Sequence, residues 1–66
     1  MHAATAHVLK FFGYAHLPPH LAEVSRPFHD LAHDIAKRAN GPEATVALRK
    51  LLEAKDAAVR DALASA

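Results

Sequence analysis

Between Pro19 and Ala39 the apolar residues Leu21, Val24, Phe28, Leu31 and Ile35 recur at intervals of three, four, three and four. That is the period of a helix burying one face against a partner helix. The predicted element spans residues 18–39. Pro18 and Pro19 suit its start, and Pro18 restricts Leu17 to extended conformations. Pro27 interrupts the pattern: it lacks an N–H and its ring crowds the carbonyl of Glu23. A kink or a split is expected near residues 23–27, with Ser25 placed to cap a fresh helix start.

The next break is Asn40-Gly41-Pro42-Glu43. Gly41 suits a left-handed helix end, Pro42 a first helical turn, and Glu43 the positive pole of the next helix. Residues 42–63 then run without a breaker and are rich in the strong helix formers Ala, Leu, Lys, Glu and Arg. So short a turn makes the two long helices antiparallel neighbours. Residues 1–17 form an N-terminal arm or short helix leading through Phe11, Phe12 and Gly13 into an irregular stretch over 11–18. The expected fold is all-α: a single helical-hairpin domain with a kinked first long helix.

On a helical wheel the second helix shows one ridge of Leu48, Leu52, Val59 and Leu63, and another of Leu51, Ala54, Ala58 and Ala62. Together they cover roughly half the circumference, more than one antiparallel helix buries. Assembly into a homo-oligomer would cover the excess. The alternative is that the N-terminal arm folds back over it within one chain.

Composition sharpens this picture. A chain of 66 residues buries only roughly 60% of its unfolded surface, and small domains of this kind rely on disulfides, metals or association. Cysteine is absent, which removes disulfides, thiolate metal sites and cysteine nucleophiles. The formal net charge is +1, too balanced for a general DNA-binding or polybasic membrane surface. No apolar run reaches the roughly 20 residues of a membrane span, and no signal peptide is visible. The expectation is a cytoplasmic module with no DNA or membrane partner, too short to enclose most catalytic sites.

Several side chains carry candidate chemistry. Lys55 projects into the apolar arc of the second helix, so it must snorkel, meet a carboxylate or meet an anionic ligand. Arg49–Glu53 and Asp56–Arg60 have the spacing of exposed helix ion pairs. Arg60, near the helix end, suits phosphate recognition. Six histidines are an excess. His29 and His33, and likewise His16 and His20, stand four apart, a chelating interval on a helix, although no third ligand follows at a recognisable spacing. Otherwise the histidines flank the apolar stripe or touch a ligand. Phe11, Phe12 and Tyr14 form an aromatic cluster. The phenylalanines either plug the open end of the hairpin or, as carried for Phe12, face a ligand. Tyr14 can stack on a flat ring while its hydroxyl bonds elsewhere.

Gly13-Tyr14-x-x-Leu17, Phe28-x-x-Leu31-Ala32 and the run from Ala47 to Arg60 (ALRKLLEAKDAAVR) occur in an order that resembles a phage family. These are the small helical-hairpin sponges that counter cyclic-oligonucleotide immune signalling (anti-CBASS), related to a hairpin in anti-Thoeris sponges. The resemblance covers roughly residues 11–63. It implies no catalysis and no cofactor, assembly as a hexamer built as a trimer of dimers, and cyclic dinucleotides held in pockets between subunits. Some members also hold cyclic trinucleotides at a separate site. It implies that Tyr14 lies against a base, that His29 stands where relatives carry a ligand-contacting lysine, and that Arg60 matches a basic residue near the end of the last helix. Histidine in place of lysine is a departure that weakens a phosphate contact at neutral pH. Lys55 and His33 join the ligand-binding set on chemistry alone; no metal ligand is assigned. Two other readings stay beside this one: a helical protein-interaction module, antitoxin-like or regulatory, with no small ligand, and a histidine-bound metal protein.

Overall fold

The structure, a computed structural model, describes residues 3–39 and 41–65. It is all-helical, with no strand among the described residues. Helix α1 covers Ala3–Leu9 and passes into a 3₁₀ turn over Lys10–Phe12; α2 covers Pro19–Arg38 and α3 covers Pro42–Ser65. The two long helices pack as the anticipated pair, and α1 packs on both. The Cα envelope measures 38 × 18 × 15 Å.

Proline sets both long-helix starts. The carbonyl of Pro18 accepts the N–H groups of Leu21 and Ala22 at 3.0 and 2.9 Å, with Pro19 in the first helical position. Pro42 opens α3, and Glu43 lies in its first turn, where a carboxylate complements the helix dipole. The expected left-handed glycine at the end of α2 is not there. Ala39 ends the helix with extended backbone (φ −110°, ψ 125°), its N–H donating to the carbonyl of Ile35 at 2.9 Å. No described glycine has positive φ. Pro42 disfavours helical backbone in the residue before it, so an extended exit suits this junction. Asn40, the first residue of the anticipated turn, lies outside the described residues, as do Met1, His2 and Ala66.

Pro27 does not split the helix: α2 is assigned without interruption through it. Pro27 and Glu23 are both exposed. The carbonyl deprived of its donor can therefore bond to water, which limits the cost of a helix-interior proline. Ser25 consequently caps nothing. It is fully buried in mid-helix and its Oγ has no hydrogen-bond partner.

The N-terminal arm is more ordered than its sequence pattern suggested, and it folds back. Thr5, Val8, Leu9 and Phe12 are buried, and Thr5 Oγ1 lies 3.4 Å from Thr45 Oγ1 on α3. Phe12 is 0% exposed and joins Val8, Leu9, Ala32, Ala36 and Leu48 in the core, with Phe28, Ile35, Leu51 and Leu52 packed against it. Its alternative as a ligand-facing aromatic is therefore corrected, and so is its place at the open end: Phe12 lies in the core beside Ala32, Ala36 and Leu48. Its neighbour Phe11, by contrast, is 53% exposed and makes a T-shaped ring contact with His7, centroids 5.5 Å apart.

This arm turns the buried face of α2. The expected stripe was Leu21, Val24, Phe28, Leu31 and Ile35. Leu21 is buried, Val24, Phe28 and Ile35 are half-buried with the last two packed on the core, and Leu31 is 48% exposed, while Ser25, Ala32 and Ala36 join Leu21 as the fully buried positions. Small side chains on that face let α3 and the 3₁₀ turn both approach α2 closely. Beyond Leu48, no residue of α3 is fully buried, and Leu63 is exposed. The arm thus covers part of the wide apolar arc, mainly at the end of the hairpin where the two helices are joined.

Two adjacent phenylalanines should behave differently. Phe12→Ala is expected to lose about 3–5 kcal/mol of stability, enough to unfold a core this small, whereas Phe11→Ala should stay within about 0.5 kcal/mol. Urea denaturation followed by circular dichroism measures both; similar losses at the two positions would contradict this packing. Ser25→Ala removes a buried hydroxyl with no partner and should leave the midpoint unchanged or raise it, since no hydrogen bond is lost.

Candidate functional site

Three of the sequence-derived site residues meet on one side of the hairpin. Tyr14 follows the 3₁₀ turn and is held by a local turn in which its carbonyl accepts the Leu17 N–H at 3.0 Å. Its half-buried ring lies edge-on to His29, centroid to centroid 5.0 Å at 81°. His29 in turn lies 4.3 Å from His33 at a tilt of 44°. The helical period explains the second contact, because residues four apart stand one above the other on a helix face. The first contact depends on the folded-back arm, which carries Tyr14 onto α2.

Sequence reasoning passed over Asp30 as a member of this site. Its Oδ1 lies 3.0 Å from His29 Nδ1. A carboxylate only accepts hydrogen bonds, so Nδ1 carries the proton and the Nε2 lone pair of a neutral His29 is left free. Asp30 Oδ2 also stands 4.0 Å from Arg26 Nε, an exposed pair at i, i+4 that contributes little to stability. The signal was the immediate neighbourhood of His29 and Asp30 in sequence, but a neighbour in sequence on a helix usually points elsewhere, and only coordinates show the bond.

Lys55 and Arg60 are carried by α3, and among the described residues no ring contact, ion pair or hydrogen bond joins either to the Tyr14–His29–His33 cluster. The Lys55 side chain is only 13% exposed, and its Nζ lies 2.8 Å from Asp56 Oδ1. Among the fates open to it, pairing with a carboxylate is the one observed. Because Asp56 engages Lys55, the anticipated Asp56–Arg60 pair is absent among the described residues, and Arg60 is exposed without an ion-pair partner there. Glu53 likewise pairs with Lys50 at 3.8 Å rather than with Arg49. Arg38 and Asp34 form a further exposed pair at 3.1 Å.

The chemistry on offer is aromatic stacking, imidazole hydrogen bonding and two cations on α3, one of them already paired with Asp56. Among the described residues there is no group of three or more His, Asp or Glu side chains able to hold a metal ion, and no helix long and apolar enough to cross a membrane. Comparison with protein-family models, with curated proteins and with solved structures gives no match.

The Lys55–Asp56 pair has an asymmetry that mutation exposes. Asp56→Asn strips the partner from a largely buried ammonium and should lower stability by about 1 kcal/mol, a modest figure because Asp56 itself is half-exposed. Lys55→Met removes the charge and keeps the stem's packing, so thermal stability should hold or rise. A marked loss in Lys55→Met, read by calorimetry, would mean that the ammonium has a role in folding beyond this pair.

Proposed function

We propose that the protein is a phage-type immune-evasion sponge. It binds cyclic oligonucleotide second messengers, cyclic dinucleotides in the first place, without cleaving them, and so keeps host effectors inactive in the host cytoplasm. The observation that carries this reading is the half-buried Tyr14–His29–His33 ring cluster, formed where the arm meets α2. A tyrosine ring offers a base a stacking partner worth roughly 1–3 kcal/mol, and imidazoles beside it supply hydrogen bonds to phosphate or base edges. The resemblance of residues 11–63 to anti-CBASS sponges gives this cluster its ligand class.

Arg60 and Lys55 supply the cations of this reading, Arg60 exposed on α3 and Lys55 paired with Asp56. Leu31, Val46 and Leu63 remain exposed on the long helices and supply apolar surface for assembly. The resemblance to the sponges makes that assembly a homohexamer, a trimer of dimers, with ligand pockets between subunits.

The exposed apolar surface also favours a second reading, a helical interaction module, antitoxin-like or regulatory, that captures a protein and no small ligand. The two separate cleanly. For the sponge, a panel of cyclic di- and trinucleotides at about a hundredfold excess over Kd stabilises the fold by about 2.7 kcal/mol, a rise in Tm of roughly 10–20 °C for so small a domain. Tyr14→Ala should weaken that binding by tenfold or more. Light scattering coupled to size exclusion should return a multiple of the 7.1 kDa chain. Unmoved melting across the whole panel, or a monomer in dilute solution, overturns the sponge.

A further inference from the structure

We infer that His29 and His33 form a chelating site for a late first-row divalent ion, of the copper, nickel or zinc class. The sequence supplies only a pair of histidines four apart. The structure adds two things. The rings are neighbours, 4.3 Å between centroids at a 44° tilt, so a change of rotamer is enough to bring a nitrogen of each to the roughly 2.0–2.1 Å of a metal–imidazole bond. And Asp30 holds Nδ1 of His29 at 3.0 Å.

That carboxylate–histidine contact is the outer-sphere arrangement of metal-ligating imidazoles: it fixes the tautomer and orients the ring, leaving Nε2 to bind. Imidazole nitrogens suit copper, nickel and zinc, whereas the oxygen-seeking magnesium and calcium have no carboxylate set here. With no third His, Asp or Glu grouped with the pair among the described residues, the rest of the coordination shell stays open to water or to an anionic ligand. The ion is therefore an exchangeable one, and the order of affinity follows the general series with copper ahead of nickel and zinc. The site draws on two imidazoles of the cluster that the sponge reading assigns to nucleotide, but it needs neither nucleotide nor a second copy.

The full-length chain, stripped of metal by chelator and free of nucleotide, is titrated with CuCl2, NiCl2 and ZnCl2 by calorimetry. Saturable binding of one ion per chain at this site is expected, tightest for copper. His29→Ala and His33→Ala should each weaken it at least tenfold. Asp30→Asn, which keeps both ligands, should weaken it by about tenfold through the lost outer-sphere bond. His16→Ala combined with His20→Ala should leave it unchanged. A readout that needs no variant is the paramagnetic broadening of histidine ring resonances by substoichiometric Cu2+, which should strike His29 and His33 first. No saturable binding by any of the three ions, affinity untouched in both the His29 and His33 variants, or first broadening at His7, His16 or His20 overturns the inference. Since nucleotide is absent throughout, these outcomes do not bear on the sponge.

Discussion

Everything else in the molecule depends on Phe12 being seated between the arm and the two long helices. Burying a phenylalanine ring is worth about 1.5–3 kcal/mol, a large share of what so short a chain can gather. The seat exists because α2 turns Ala32 and Ala36 toward the arm, and α3 contributes Leu48. A bulkier α2 face would hold the arm away, and the hairpin would keep the whole width of its apolar arc uncovered. The core is consequently lopsided. It is dense where α2 and α3 are joined and thin toward the end of α3.

The same docking creates the candidate site. When the arm lies on α2, Tyr14 is delivered to His29, and the helical period then continues the contact to His33. Asp30 anchors one imidazole from the solvent side. The cluster sits close to the best-packed part of the protein, which gives its rings a firm support. Lys55 and Arg60 lie along the more thinly packed part of α3, where Lys55 is neutralised by its own neighbour and Arg60 stands exposed.

Local signals were legible where the chemistry is local. Pro19 and Pro42 mark the helix starts because a residue without an N–H loses nothing in a first helical turn. The run of helix formers after Pro42 reads as one helix and is one. Pro27 left a kink and a split open as alternatives; the helix continues through it, at an exposed position where water can serve the freed carbonyl. Gly41 suggested a left-handed exit, yet the proline that follows it and the extended Ala39 provide another route out of the helix. Of the candidate site, the pairing of His29 with His33 follows from spacing alone. The contacts of Tyr14 and Asp30 do not, since one depends on a loop's path and the other on a side-chain rotamer.

By itself the sequence determined that the chain is all-helical, where its two long helices begin and roughly where they end, because period, proline and propensity act over a few neighbouring residues. Only the tertiary structure decided which flank of α2 is buried, that Phe12 is core while Phe11 is surface, that Lys55 turns to Asp56, and that Tyr14 meets the histidines. The apolar stripe of α2 is wide enough to accept either of two rotations. The choice falls to the rotation whose small residues admit a third helix, and close packing among three elements cannot be read from the pattern of one.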